Sequence, residues 1–177
     1  MDNDKLKTLL EKLDACVGAR QWVGDRSLSA AWKDCQRADW MLWLVGRMAG
    51  KDGWPTLQQV VSAACDCAET ALKFVSEGEE RPRLAIEVAR RWATGKAKIA
   101  EVRKAAYAAY AAASYDAAAS KHAAHGAYLA ASAAYGYPAD VAAVHAAAAS
   151  GDDDKALAEM ADIVRKAIPV AYEERTA

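Results

Sequence analysis

The chain carries a single phenylalanine and few isoleucines in 177 residues. That leaves too little aromatic and β-branched material for a large sheet. No segment alternates apolar and polar residues as a half-buried strand would. Neither sign of charge is in surplus. The net charge is −1, so no global field points to nucleic acid or to a membrane surface. The opening MDNDKLK has no apolar run of the kind a signal peptide needs. No stretch of about 18 residues is rich enough in large apolar side chains to span a bilayer. These absences lead us to expect a cytoplasmic protein with neither a nucleic-acid nor a membrane partner. The length suits one domain, residues 1–177, with a sizeable core.

Cysteine is sparse as well: Cys16, Cys35, Cys65 and Cys67. Cys65 and Cys67 are two apart on an expected helix and so point about 200° away from each other. They cannot share one metal ion while that helix is intact. No further Cys or Cys–His pair completes a zinc site. Four reduced, mostly buried thiols are expected. A Gly-rich phosphate loop is also missing, no nucleophile–base pair stands near Asp39 and Trp40, and no cofactor is expected.

What the sequence does have is helical periodicity. Leu6, Leu9, Leu10, Leu13 and Val17 form one stripe behind an Asp2 or Asn3 cap. Gly24-Asp25-Arg26 ends it. A second helix begins near Ser27, carries Trp32 and runs on, with a kink near Arg37, through Trp40 and Trp43. Thr56 opens a helix with its face on Leu57, Val60, Val61, Ala64 and Ala68. Pro82 fits the first turn of the next, lined by Leu84, Val88 and Trp92 and ended by Gly95. Residues 105–149 are more than half alanine, the best helix former. Gly126 is expected to bend or divide that tract, and Asp116, Lys121 and three histidines interrupt it. Leu157, Met160, Val164 and Ile168 form the last stripe before Pro169. The spacing predicts an all-α fold of seven or eight helices, an antiparallel bundle or stacked helical hairpins. Its first half, 1–95, is tryptophan-rich and its second, 96–177, alanine-rich.

Four constellations could carry function. Asp39-Trp40-x-x-Trp43 with Arg37 and Arg47 reads first as a core wedge. Asp39 then pairs with Arg37, Arg47 or an indole N–H. The alternative is an aromatic–arginine contact with a protein partner, through Trp40, Trp43 and Arg47. His122 and His125 share a helical face and could hold a metal, with His145 as a third ligand if the fold brings it near. No carboxylate lies beside them, so hydrogen-bonded or exposed histidines are expected. Eight basic residues between Arg81 and Lys104, opposed only by Glu87 and Glu101, read as a solvated face; Arg90, Arg91 and Trp92 are its candidate contacts with a partner. The acidic stretch from Asp152 to Ala177 could complement it. Tyr107, Tyr110, Tyr128 and Tyr135 are expected to fill gaps between alanine helices.

The order of several segments is more specific. "ACVGARQWVG" from Ala15 and "AAW" lead to "DWMLWLVGRM" from Asp39. "ERPRLAIEVARRWATGKA" from Glu80 precedes the alanine-rich tail. Over roughly residues 15–150 this resembles a family of small helical bacterial immunity proteins linked to polymorphic toxin systems. The resemblance implies a protein that neutralises a cognate toxin by binding it, and carries over no catalytic or contact residue. Two other readings stand beside it. One is a helical scaffold or adaptor that self-associates through its alanine-rich face. The other is a metal-dependent enzyme using His122, His125 and His145.

Overall fold

The computed structural model describes residues 1–113 and 118–169. Asp116 and the end of the acidic stretch beyond Pro169 fall outside the described residues. Among the described residues all regular structure is helical, in ten α-helices and two short 3-10 turns, with no strand. No described helix is long and apolar enough to cross a membrane. The chain divides into two compact units, Met1–Cys35 with Pro169–Ala177, and Gln36–Ile168.

Ten helices stand where seven or eight were expected, because two expected helices are each cut in two. In the first unit, α1 (Asn3–Lys12) is separated from α2 (Val17–Val23). Asp14 adopts φ 58°, a left-handed conformation that aspartate tolerates better than most residues. The N–H of Asp14 donates to Glu11 O (3.0 Å) and that of Ala15 to Leu10 O (2.9 Å). This is the paired helix stop that glycine usually supplies. Val17 therefore leaves the α1 stripe and is exposed. Asn3 ties the loop after α2 by donating from Nδ2 to Gly24 O and Arg26 O. Ser27 caps α3 (Leu28–Asp34). The second cut follows: Cys35 and Arg37 are extended, so α3 stops before α4 (Ala38–Met48) begins. Trp32 thus belongs to a different helix from Trp40 and Trp43, and the three share no continuous helical face.

The second unit is organised around α5 (Leu57–Glu69). Thr56 and Gln59 form a reciprocal capping box at its start. It packs against α4, α6 (Arg81–Ala93), α8 (Ala118–Ser132), α9 (Asp140–Ser150) and α10 (Asp153–Ala167). Val60, Val61, Ala63, Ala64, Cys65, Cys67 and Ala68 are all buried, so α5 is covered nearly all round. Both opposed thiols are therefore interior. α6 buries Pro82, Ala85, Ile86 and Ala89. Leu84, expected to line its packed side, is exposed, since the alanine row displaced by one position faces the neighbouring helices. α7 (Ile99–Ala113) packs on α6 and α8.

Gly126 does not divide the helix, since α8 runs unbroken through it. It is instead a point of close approach by α9. A Cβ at Gly126 would lie 3.4 Å from Ala142 O and from Ala146 N. Small side chains on both helices permit that approach. After Ser132 a 3-10 turn, Ala133–Tyr135, and Gly136 at φ 106° redirect the chain toward α9.

Candidate binding surfaces

The motif at the start of α4 resolves into an ion pair under an aromatic edge. Arg37, just before the helix, donates from Nε to Asp39 Oδ1 (2.9 Å) and from a terminal nitrogen to Oδ2 (2.6 Å). A two-pronged pair of this kind is geometrically specific. Asp39 is only 7% exposed, and its place in the first helical turn suits its charge. The same guanidinium lies 4.6 Å from the centre of the Trp40 ring, and that of Arg47 lies 5.7 Å from Trp43. Arg47 is exposed and both indoles are half-buried. Near this edge, burial raises the pKa of Asp140 at the start of α9, and the Asp39 carboxylate adds to the rise. The edge holds no nucleophile–base pair among the described residues.

On α6 the basic surplus is largely answered locally. Arg90 reaches across to α5 and bonds both Asp66 and Glu69, the latter at 2.7 and 3.1 Å. Its hydrogen bond holds the Glu69 carboxyl below the usual range. Arg81 pairs with Glu79 and Arg83 with Glu80. Arg91 is exposed and donates to Lys96 O (3.2 Å), while Trp92 is half-buried. Of the candidate contact residues here, Arg90 is therefore committed to holding α6 on α5, and Arg91 faces solvent.

The largest assembly of functional side chains lies on α7, α8, α9 and the turn before α9. His122, His125 and His145 come together. The His145 ring centre is 4.9 Å from that of His125 and 5.5 Å from that of His122. The Nδ1 atoms of His122 and His145 are 3.3 Å apart. With ring centres only 5.5 Å apart across that gap, the nitrogens face each other almost head-on. Two imidazoles sharing a tetrahedral ion would instead both point at a third position off their line. Facing nitrogens suit one shared hydrogen, donated by one Nδ1 and accepted by the other. Among the described residues no three His, Cys, Asp or Glu side chains are placed to hold a metal ion.

Phenol rings continue this cluster. Tyr110 stands 5.4 Å from His125 and 5.2 Å from Tyr128, centre to centre. Tyr128 meets Tyr137 at 6.0 Å, and Tyr137 meets Tyr135 at 5.6 Å. Arg103 of α7 lies over the Tyr135 ring at 5.1 Å, and the Tyr135 hydroxyl shares a 2.7 Å hydrogen bond with Ser132. The tyrosines do not all fill gaps between helices as expected. Tyr128 is buried, but Tyr107, Tyr110 and Tyr137 are 59%, 48% and 44% exposed. The reason lies in α7, whose buried row is Val102, Ala106, Ala109 and Ala113. That 4-3-4 spacing already stands in the sequence and turns positions 107 and 110 outward. Burial and the Tyr137 phenol push the Tyr128 hydroxyl up to about 12. Burial lowers the pKa of His125 and His145, helped by Lys121 and His122 for the first and by the other two histidines for the second. The band is therefore a row of ring-on-ring contacts running from His122 to Tyr135, with exposed tyrosines at several points.

A family model described as "Imm-5 like putative immunity protein" matches residues 56–169. The range begins at the Thr56 cap and takes in α5 to α10, with Arg90, Arg91, Trp92 and the whole imidazole–phenol band. The Trp40–Trp43 edge lies before it. No curated protein and no solved structure gives a significant match.

Proposed function

The chain belongs to the Imm-5 like putative immunity protein family, and from that premise we propose that it binds and neutralises a cognate protein toxin without catalysing a reaction. The observation that carries the choice of surface is the exposed tyrosine row on α7 and the turn before α9. Tyrosine is enriched at protein interfaces and gives large contact area for little loss of side-chain freedom. Here Tyr110 and Tyr137 each pack against Tyr128, so part of that ordering cost is already met in the free protein. A tight complex needs roughly 800 Å² from each partner, so neighbouring surface on α8 and α9 would contribute. The exposed Val144 of α9 is one such contribution. The head-on histidine pair supports binding over metal-dependent catalysis, since its facing nitrogens occupy each other.

The Trp43–Arg47 edge and Arg91 are the competing anchors. Co-expression with the products of the genes that neighbour this one separates them. Wild-type chain should restore growth and co-purify with one toxin. A Tyr107→Ala, Tyr110→Ala, Tyr137→Ala triple variant should fold, by circular dichroism, yet lose both. A Trp43→Ala, Arg47→Ala variant should retain them. If no neighbouring product is toxic and nothing co-purifies, the immunity reading fails. If only the Trp43–Arg47 variant loses rescue, the surface is wrong and the function stands.

A further inference from the structure

We propose that His122, His125 and His145 form a proton-operated clasp between α8 and α9, so that acidification loosens the tyrosine face carried on it. The link to partner binding rests on the reading above; the clasp itself rests on geometry in this chain alone. His122 is on α8 and His145 on α9, and their Nδ1 atoms are 3.3 Å apart. With both rings neutral, one supplies an Nδ1–H and the other a lone pair. One added proton is tolerated, because an imidazolium N–H still has a neutral nitrogen to meet. A second proton places two N–H groups head-on with a positive charge on each ring. The contact must then open. His125, 4.9 Å from His145 between ring centres, adds a third charge to the same small volume when protonated.

Among the described residues, the acidic groups on the packed elements are engaged elsewhere or face solvent. Lys121 on α8 opposes protonation of His125. From α7 the nearest rings are neutral phenols, with Tyr110 against His125; Arg103 is over Tyr135, and Glu101 and Lys104 are exposed. α5, packed on both α8 and α9, brings the buried thiols of Cys65 and Cys67, and its Asp66 and Glu69 are bonded to Arg90 of α6. Glu87 of α6 is exposed. From α4 and α10, packed on α9, Asp39 is held by Arg37, Arg47 lies over Trp43, and Asp162 pairs with Arg165. Asp140, on α9 itself, has its carboxyl pKa raised and so is the weaker counter-charge as pH falls. The seam has no slack either, since α9 backbone lies against Gly126, between His125 and Tyr128 on the chain.

The sign follows from the lowered pKa of His125 and His145. Above the ordinary histidine value of 6.5 the clasp contributes its full stability. As pH falls below that value the unfolded chain takes up protons that the folded chain resists, and stability is lost. Long-range ¹H–¹⁵N correlation spectra of the isolated chain, followed from about pH 8 to about pH 5, report each ring separately. The expected result is that the three histidines titrate unequally. His145 should lie below the ordinary value, with uptake by the pair spread over two separated steps. The thermal midpoint should fall over the same range, and His145→Asn, which keeps a hydrogen-bonding group at the Nδ1 position, should flatten that fall. Affinity for a co-purified toxin should drop about tenfold for each pH unit below the first step where binding excludes one proton. Three independent titrations near the ordinary value would overturn the clasp, whatever the toxin does. A normal clasp titration with pH-independent toxin affinity would overturn only its link to the face.

Discussion

Replacing Gly126 with valine should destabilise the chain, whereas the same replacement at Gly46 should not. Both glycines lie inside α-helices, α8 and α4. In a helix interior, alanine is favoured over glycine by roughly 1 kcal/mol. At Gly46 a new Cβ meets nothing within 4 Å, so Gly46→Ala should gain close to that full amount. At Gly126 the same atom would meet Ala142 O and Ala146 N, each at 3.4 Å. These are backbone atoms of α9 and cannot swing aside. Gly126→Ala should therefore recover only part of the gain. The two further methyl groups of valine have no free volume there, and overpacking of this kind costs about 1–3 kcal/mol. The expected gap between Gly126→Val and Gly46→Val is about 2 kcal/mol. Urea unfolding with matched slopes reads it as a shift in midpoint. Equal midpoints for the two valine variants would refute the close α8–α9 seam, and with it the rigidity assigned to the band above it.

Arg90→Ala should cost about 1 kcal/mol, because it leaves Asp66 and Glu69 facing each other on α5. The loss should shrink in high salt, as urea unfolding at two ionic strengths would show. Thr56→Ala removes the side-chain oxygen that accepts from Gln59 N–H at the start of α5, while the Thr56 N–H can still donate to Gln59 Oε1, and should cost about 1 kcal/mol in the same assay. A thiol reagent at neutral pH should label Cys16 quickly and the other three cysteines only after unfolding. Cys35, Cys65 and Cys67 are buried, and burial pushes the Cys65 thiol up to about 12.

Helical class and the positions of most helix ends are legible in the sequence where a local rule governs them. Ser27, Thr56 and Asp152 cap as their side chains dictate, and Pro82 stands in the first turn of its helix. The break at Asp14 is not legible in this way. Aspartate takes the left-handed position that glycine announces elsewhere, and the apolar spacing from Leu6 to Val17 continues across it. The break before Arg37 is half legible: a kink is expected there, but Trp32, Trp40 and Trp43 keep a helical interval through what is an extended segment. Gly126 is expected to bend or divide its tract because a local rule sees only its own helix; the helix is not divided, and the glycine makes room for the backbone of α9. The histidine cluster was half visible. His122 and His125 are neighbours by spacing, but His145 joins them only through the packing of α9 on α8. The outward tyrosines could have been found from the buried row Val102, Ala106, Ala109 and Ala113. The family resemblance spans roughly residues 15–150, while the matched range is 56–169, so the segment from Glu80 lies inside it and the tryptophan motif outside.

The central claim is that a toxin is bound on the tyrosine face of α7 and the turn before α9. Hydrogen exchange of the chain, alone and with the toxin that co-purifies with it, tests this most directly. The account predicts slowed exchange in peptides covering Lys104–Ala113 and Ala133–His145, with α4 unchanged. Slowed exchange confined to Ala38–Met48, or to neither region in a complex that forms, would contradict it.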